Sequence, residues 1–409
     1  MEFLPYIYLG YMFISLYFLS LYFILYLKNK NDIFSYPEIK KEYSISVLSP
    51  AFNEEDTIAD TLKHIFDMDY KNILEVIVIN DKSTDNTLSI VKGLMKKYPR
   101  LKVIDNKKNL GKAGSLNKAL KIATGELIAV IDADSYPHKD AFSKMVGFFE
   151  EEKVGAVTVP VVARNKNNFI EKLQAIEYKA ISITRKLLGY VDAIYVTPGP
   201  LALYRGEAIR GIKGFDEKNM TEDIEATWKL TAFGWDRRMC LDTGVSSTVP
   251  SKFKDWYVQR RRWNIGGLQC IWKYRKFLIK KGMLGWFIIP FFILSTFLGL
   301  LGLSIFFYLI TRRAISNFLF TKYSISVGTP VLTLNDLYIT PSILNYLGIV
   351  LFVLGAVFTL LVLSLLKERI LKRQNILNIL FYLTFYIAIY PFVMIGAMFH
   401  FIRGKRIWR

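Results

Sequence analysis

Two aspartates stand two positions apart in the segment IDADS, at Asp132 and Asp134, directly after an apolar run. In an extended segment, side chains two positions apart point to the same face, so the two carboxylates are expected to lie together. Neighbouring carboxylates repel each other unless a cation joins them. Divalent ions such as Mg2+ and Mn2+ take oxygen ligands and keep positions open for phosphate oxygens. The pair therefore indicates a site for a metal diphosphate, and a solvated turn is the alternative interpretation.

A second candidate is the segment NLGKAGSLNKAL, in which Gly111 and Gly114 bracket Lys112 at the start of a predicted helix. Exposed backbone N–H groups and the helix dipole favour an anion at such a position. The segment lacks the spacing of a P-loop, so Lys112 is a candidate for phosphate binding outside that class. The earlier segment NDKSTDNT is equally explained as a turn and a helix cap around Asp85.

A third candidate is the segment TEDIEATWKL, which predicts a helix with Glu222 and Asp223 in its first turn. One interpretation is a helix N-cap followed by acidic residues that suit the helix dipole. The other makes one carboxylate a general base that takes a proton from an attacking hydroxyl. The periodicity of the sequence leaves both interpretations open.

Alternating elements are predicted to position these residues. Between Tyr43 and Asp134, strand patterns alternate with helical patterns, which favours an α/β fold with a mostly parallel sheet. The strand patterns cover 43–52, 74–81, 101–106 and 126–134, and the helical patterns cover 54–66, 85–98 and 112–123. In such sheets the ligand lies at the carboxyl ends of the strands. The polar residues at those ends are Asn53, Glu54, Asp81, Asp132 and Asp134.

The composition adds a membrane region to this fold, since 52% of the 409 residues are hydrophobic. Residues 3–27, 283–311 and 337–366 carry no charge, and 376–402 holds only His400 as an ionisable group apart from its tyrosines. Each run exceeds the roughly 20 apolar residues that cross a bilayer. We predict four membrane-spanning helices. The first run is longer than the apolar core of a signal peptide, about 7 to 15 residues, so an uncleaved anchor is favoured over a cleaved one.

Lysines that follow the first run, Lys28 among them, place the N-terminus outside and the next 250 or so residues in the cytoplasm by the positive-inside rule. With four crossings, the basic tail 403–409 would lie outside, which contradicts the positive-inside rule. Either the rule fails for this tail, or the last run is a hairpin broken at Pro391. The predicted domains are an N-terminal membrane helix at 1–28, a cytoplasmic domain at 29–255, interfacial helices at 256–282, and a membrane region of about three helices at 283–409.

The charge balance is 54 Lys and Arg against 35 Asp and Glu, or +19. Many of the cations flank membrane segments, where anionic lipids attract each by about 1 kcal/mol, so membrane lipids are favoured over nucleic acid as the partner. Cys240 and Cys270 are the only cysteines, and their predicted cytoplasmic position argues against a disulfide. With three histidines, they do not match the ligand spacing of a zinc site.

The motifs PAFNEED, NDKSTDNT, NLGKAGSLNKAL, DADS, TPGP, TED and QRRRW follow one another between Ser44 and Trp263. In this order they resemble the membrane-embedded family 2 glycosyltransferases, which include cellulose, chitin, hyaluronan and poly-N-acetylglucosamine synthases. The single N-terminal span is most similar to the poly-N-acetylglucosamine branch. The resemblance implies a cytoplasmic GT-A domain, Rossmann-like with a mostly parallel sheet, attached to an α-helical transmembrane bundle in the plasma membrane.

The resemblance also implies roles for single residues. Asp81 would contact the uracil base, and the other donor-nucleotide residues would be Ala51, Glu54, Lys112, Asp132, Gln259 and Arg262. Asp134 would bind Mg2+ or Mn2+ directly beside Asp132. Asp223 would be the general base with Glu222 as its neighbour, and Trp263 and Gly199 would bind the acceptor. One departure is Lys82, which stands where the family motif has a turn glycine.

Within QRRRW, Arg262 would bind phosphate oxygens through paired hydrogen bonds, and Trp263 would stack on the acceptor sugar. The alternative is an interfacial helix, anchored at lipid headgroups by Trp256, Tyr257 and Arg260.

The implied reaction is an inverting transfer that polymerises a β-linked polysaccharide from a UDP-sugar, with UDP-N-acetylglucosamine as the best candidate, and helps to translocate the product. An accessory subunit or a homo-oligomer would complete the pore if one chain does not. The nearest alternative adds a single sugar to a lipid or lipid phosphate. A transporter or scaffold is disfavoured, because the apolar runs almost lack the ionisable residues of an ion-coupled pathway.

Overall fold

The computed structural model describes residues 4–328, 343–365 and 373–404. Ten strands form two sheets. They are β1 Ile45–Ala51, β2 Ile73–Asn80, β3 Leu101–Asp105, β4 Leu127–Val130, β5 Ser135–Pro137, β6 Val154–Thr158, β7 Val161–Ala163, β8 Ala202–Arg205, β9 Asp236–Met239 and β10 Val245–Ser247. The larger sheet has the order β3-β2-β1-β4-β8-β6-β9, and the smaller has the order β5-β10-β7.

The larger sheet is mostly parallel. β1 runs parallel to β2 and β4, β2 runs parallel to β3, and β6 runs parallel to β9, while β8 is antiparallel to both of its neighbours. Buried aliphatic residues fill both faces of this sheet, as expected for strands covered by helices. The α/β fold class is therefore confirmed. The fourth strand ends at Val130, earlier than the predicted 134, so Asp132 and Asp134 lie in the turn that follows.

Nine α-helices belong to the described part of the chain up to residue 274. They are α1 Leu4–Asn29, α2 Ile58–Phe66, α3 Thr87–Leu94, α4 Gly111–Leu120, α5 Ala141–Met145, α6 Phe169–Gly189, α7 Gly206–Gly211, α8 Glu222–Ala232 and α9 Phe253–Tyr274. α6 begins with a capping box, in which Asn168 accepts from the Glu171 N–H and the Glu171 carboxylate accepts from the Asn168 N–H. α6 contacts β7 and β9 on one side and α1 on the other, so it connects the sheet to the apolar helices.

The C-terminal region contains α10 Ile289–Val327, α11 Ile343–Leu365, α12 Arg373–Phe381 and α13 Ile387–Ile402. A π-helical turn, Leu284–Ile288, leads into α10, and another, Tyr382–Tyr386, joins α12 to α13. Pro391 lies inside α13, so the hairpin broken at that proline is wrong for the described residues. α10 extends past the charge-free run to Val327. Most of the loop 367–375 and of the basic tail 403–409 lies outside the described residues.

Four helical segments in the described part of the chain are long and apolar enough to cross a membrane. They are Pro5–Asn29, Leu284–Val327, Tyr346–Leu365 and Ile376–Ile402. They fall on the four apolar runs of the sequence. The predicted interfacial segment 256–282 lies largely within α9, which begins at Phe253.

A buried ion pair joins the domain to the C-terminal helices. Arg260 on α9 is fully buried and pairs with Glu177 on α6, which also accepts a 2.8 Å hydrogen bond from the Tyr386 hydroxyl. The indole of Trp256 donates to the same hydroxyl over 2.6 Å. Trp256 is 1% exposed. The interpretation of Trp256 and Arg260 as headgroup anchors is therefore wrong, because both side chains are buried inside the protein.

We expect Glu177→Gln to lower the free energy of unfolding by about 3–5 kcal/mol, because it leaves the Arg260 charge buried without its counter-ion. The measurement is thermal unfolding of the detergent-purified chain, followed by tryptophan fluorescence. Lys41→Gln is the control, since it breaks a pair whose side chains are 57% and 45% exposed and is expected to cost less than about 1 kcal/mol. Equal unfolding temperatures for the two variants would contradict the prediction.

Candidate functional site

A cavity of about 570 Å3 lies between the sheet and the apolar helices. It reaches from the turn after β4 to the first turns of α10 and to one face of α13. The lining includes nine of the residues selected from the sequence: Lys112, Asp132, Asp134, Gly199, Glu222, Asp223, Gln259, Arg262 and Trp263. The structure thus brings together motifs that are far apart along the chain.

The two aspartates after β4 lie in this cavity although their segment is a turn. Asp134 accepts a 3.1 Å hydrogen bond from the Ser135 hydroxyl, and Asp132 turns toward Lys112. Burial and the charge of Asp132 raise the pKa of Asp134 to about 6. The charge of Asp132 therefore acts on Asp134, although the segment is a turn and not the extended segment that the spacing prediction assumed.

Lys112 is the cation at the centre of this acidic group. Its Nζ lies 2.6 Å from Asp132 Oδ1 and 2.9 Å from Glu222 Oε1. Burial opposes the charged lysine, but Asp132 and Glu222 outweigh it and raise the pKa of Lys112. The lysine thus joins the turn after β4 to the start of α8.

Gly199, in the TPGP segment, lies against this ion pair. A Cβ atom at position 199 would stand 2.9 Å from Asp132 Oδ2 and would overlap Lys112 Nζ. Any larger residue would have to displace one of the two charged groups. The glycine therefore allows the backbone to approach the pair closely without displacing either charged group.

The acidic residues of the TED segment lie at the first turn of α8. Thr221 precedes the helix, but its hydroxyl donates to Asn219 Oδ1 and makes no side-chain cap. Thr221 occupies the N-cap position and the acidic residues lie in the first turn, as the N-cap interpretation predicts, but the threonine side chain does not cap the helix. Burial and the neighbouring Glu222 raise the pKa of Asp223 to about 6, whereas Lys112 outweighs burial and lowers the pKa of Glu222.

The QRRRW segment lies on α9 and turns different residues to different partners. Gln259, Arg262 and Trp263 line the cavity, and Arg262 contributes to the lowered pKa of Glu222. Trp263 stacks on Tyr178, with ring centroids 6.4 Å apart, and the guanidinium carbon of the buried Arg260 lies 4.1 Å from the centroid of the Trp263 ring. The indole is therefore held in place by α6 and by Arg260.

The predicted nucleotide residues Ala51, Glu54 and Asp81 do not line this cavity, and they lie at the ends of β1 and β2 beside it. Burial raises the pKa of Glu54 to about 7, and the negative charges of Asp134 and Asp132 act in the same direction. Asp81 is buried and accepts hydrogen bonds of 2.8 Å from the N–H groups of Leu110 and Gly111. The backbone N–H groups at the start of α4, which were predicted to bind an anion, thus bind the Asp81 carboxylate.

Lys82 adopts a φ of 63°, in the left-handed region that favours glycine. The turn therefore keeps the backbone shape that the glycine of the family motif would supply.

The site was tested for its fit to a divalent cation. Among residues 4–328, 343–365 and 373–404, no three His, Cys, Asp or Glu side chains are grouped to hold a metal ion. Mg2+ is, however, commonly bound by one or two carboxylates, with phosphates and water completing the shell. Asp132 and Asp134 supply two repelling carboxylates, so the residues present fit such an ion.

The sequence reasoning missed α6 altogether. Its residues Tyr178, Ser182 and Arg185 line the cavity at helical spacing, and Arg185 is 6% exposed. The sequence does show that these residues are spaced i, i+4 and i+7, so they share one face of a helix. It does not show that this face meets the other motifs, because that contact depends on the fold.

Comparisons with known proteins bear on the family and the fold. The profile of the family described as Glycosyl transferase family 2 matches residues 46–212. A poly-beta-1,6-N-acetyl-D-glucosamine synthase of Staphylococcus epidermidis is 31% identical over 289 residues, 69% of each chain. A beta-monoglucosyldiacylglycerol synthase of Nostoc sp. is 34% identical over 244 residues, 58% of this chain and 52% of that protein. The resemblance based on the motifs is confirmed at the level of the family.

A solved structure shares the fold over nearly the whole chain. The mannosyltransferase PcManGT from Pyrobaculum calidifontis, in complex with GDP-Man and Mn2+, has a TM-score of 0.63. The match covers 97% of this chain and 99% of that one at 19% identity. The fold, with its sheet and its long helices, thus occurs in another protein.

We expect Lys112→Met to destabilise the protein increasingly as pH rises. Lys112 holds the pKa of Glu222 below its unfolded value, and this contribution is present above that value and lost in acid. Without the lysine, the buried carboxylates repel one another, so their pKa values rise and stability falls once they ionise. The measurement is the unfolding temperature from pH 4 to 8 in EDTA, where each kcal/mol shifts it by about 2–4 °C.

The exposed Lys108→Met is the matched control for the lysine charge. A deficit of Lys112→Met that stays constant over the whole pH range would contradict the electrostatic role of Lys112.

Proposed function

The chain belongs to family 2 of the glycosyltransferases, and we propose that it polymerises a β-linked polysaccharide from a UDP-sugar and helps to move the product across the membrane. The observation that carries this proposal is the cavity, which is continuous from the carboxylates at the sheet to Ser295 and Thr296 on α10 and Met394 on α13. A chain extended at the carboxylates would enter the space between helices long enough to span a bilayer. The same lining would guide it onward.

The donor is proposed to bind where β1, β2 and the turn after β4 end. Asp81 with Ala51 and Glu54 would form the base pocket, as the family motifs imply, and Lys112 and Arg262 would lie at the diphosphate. UDP-N-acetylglucosamine is the donor of choice, because the Staphylococcus epidermidis relative is named for a polymer of N-acetylglucosamine.

Asp134 and Asp132 would hold Mg2+ or Mn2+. When bound, such an ion neutralises the charge that develops on the diphosphate leaving group. Arg262 adds a planar cation with paired donors for phosphate oxygens. Gly199 leaves the room in which Asp132 and Lys112 approach each other.

Transfer is proposed to occur by one displacement at C1 of the donor sugar. An acceptor hydroxyl gives its proton to the Asp223 carboxylate while its oxygen bonds to C1, and the bond from C1 to the phosphate oxygen breaks. The electron pair leaves with the diphosphate, so configuration inverts and no covalent enzyme intermediate forms. With a pKa of about 6, Asp223 is mostly ionised at neutral pH and still basic enough to accept a proton.

The acceptor is proposed to rest on Trp263, whose indole is fixed between Tyr178 and Arg260. Gly199 would contact the same sugar. The catalytic domain is placed in the cytoplasm and the apolar helices in the plasma membrane, among anionic lipids. An accessory subunit or a second copy would complete the channel if the helices of one chain do not enclose it.

A second candidate is the addition of one sugar to a lipid. The observation in its favour is the apolar lining of the cavity near the membrane helices, which includes Leu268, Phe291, Phe292 and Met398. A relative named for diacylglycerol glucosylation points the same way. Product size separates the two candidates.

We expect Asp223→Asn to bind UDP as the wild type does and to lose transfer by about 10²–10⁴-fold, since only proton removal is impaired. UDP release and UDP binding by calorimetry are the two measurements. The half-exposed Asp242→Asn serves as the control, because this carboxylate pairs with Lys144 outside the cavity. Near-normal transfer by Asp223→Asn would remove Asp223 from the role of base.

The proposed function is tested by turnover of the purified chain with a panel of nucleotide sugars and Mg2+ or Mn2+. We expect UDP release and a labelled ladder from UDP-N-acetylglucosamine, with loss of both in EDTA and recovery on adding the metal. A single labelled lipid would establish the second candidate instead. Turnover that persists in EDTA would contradict the metal assignment to Asp134 and Asp132.

A further inference from the structure

Arg185 on α6 is a buried cation that the proposed reaction does not use. It lines the cavity and is 6% exposed. In the described part of the chain, no carboxylate lies within 4.0 Å of its guanidinium, and its buried Nε has no hydrogen-bond partner. A charged side chain is thus directed into a binding cavity without a counter-ion from the protein.

Such a charge is costly in the absence of a partner. Removing one ion from water costs several kcal/mol even after the protein relaxes. Burial lowers the pKa of Arg185, and Tyr195 and Asp223 act in the opposite direction. An arginine nevertheless stays charged in proteins. An anionic ligand would satisfy this group, and a neutral sugar chain would not.

The surroundings of Arg185 place it on the membrane side of the site. Tyr195 packs against Phe291 and Phe292 at the start of α10, with ring centroids 6.2 Å and 5.1 Å apart. Both phenylalanines line the same cavity. The cation therefore lies where an apolar lining meets the base Asp223.

Lys112 and Arg262, which line the same cavity, are already proposed to lie at the donor diphosphate. Arg185 is therefore the cation of the described lining that the donor leaves unused. The lining also includes the apolar side chains of Ile181, Phe291 and Phe292. An anion at this point must come with the acceptor and must tolerate apolar neighbours.

We propose that Arg185 binds the phosphate of a lipid acceptor whose acyl or isoprenoid chain lies along Phe291 and Phe292. This inference rests on the proposed function, and it names the acceptor class: a phosphate-bearing lipid that is glycosylated once or serves as the primer of the polymer. The guanidinium binds two phosphate oxygens and holds the headgroup next to Asp223.

The test uses the full chain in dodecyl maltoside and three probes: farnesyl phosphate, farnesol and inorganic phosphate. Calorimetry is expected to give at least tenfold tighter binding of farnesyl phosphate than of either other probe. Arg185→Gln is expected to reduce farnesyl phosphate binding to the level of farnesol. The control Arg275→Gln removes an exposed arginine and is expected to leave all three affinities unchanged.

Two readouts keep the result independent of folding and of the proposed function. Arg185→Gln is expected to unfold at no lower temperature than the wild type, because it removes a buried charge, and to bind UDP normally. Failure of the wild type to bind UDP would overturn the proposed function, and Arg185-dependent binding of farnesyl phosphate would still stand.

Three outcomes would overturn the inference. Equal binding of farnesyl phosphate by the wild type and Arg185→Gln would show that no phosphate is bound by this arginine. Inorganic phosphate that binds as tightly as farnesyl phosphate would make the site one for a free anion. In the third outcome, Arg185→Gln binds the lipid as the wild type does, and the acid limb of its pH profile of transfer moves to higher pH. Arg185 would then be only a counter-charge for Asp223.

Discussion

The ion pairs of Lys112 with Asp132 and Glu222 hold together a site whose acidic groups repel one another. Asp132 follows a strand, Glu222 begins a helix, and the lysine comes from the first turn of a third element. Lys112 therefore supplies the positive charge that balances the Asp132 and Glu222 carboxylates when no other cation is bound. If Asp132 holds a divalent ion as proposed, the added positive charge would leave Lys112 available for the phosphates. Gly199 leaves the room in which Lys112 and Asp132 meet.

α6 is the element that unites the two halves of the molecule. It packs on β7 and β9 and also on α1, α11 and α12. One of its faces carries Tyr178, Ser182 and Arg185 into the cavity, and Glu177 beside them pairs with Arg260. Under the proposed function, the acceptor side of the site would be built on this helix and the donor side on strand ends and loops. This division would suit a reaction in which the donor is replaced at each turnover and the acceptor remains.

The sequence predicted the α/β sheet, its first four strands and the polar residues at their ends, because hydrophobic periodicity reports which faces are buried. It also located the four apolar segments. It misjudged Trp256 and Arg260, since a basic aromatic stretch has the same composition at a membrane surface and inside a protein. It assigned no role to Arg185, because the sequence does not show whether an arginine is buried or exposed to solvent. Only the packing of α6 against elements distant in the sequence, such as β9 and α11, distinguishes them, and such long-range contacts leave no local pattern.

The buried network of Glu177 links the active domain to the last helical run through the Tyr386 hydroxyl. Tyr386 ends a π-helical turn, where the backbone has one residue more per turn than its neighbours. Bilayer thickness sets the tilt of a long apolar helix. A change of tilt about this turn would move Tyr386, and with it the pair of Glu177 and Arg260, whose guanidinium lies 4.1 Å from the centroid of the Trp263 ring. If Trp263 binds the acceptor as proposed, the physical state of the surrounding lipid would be coupled mechanically to the acceptor site.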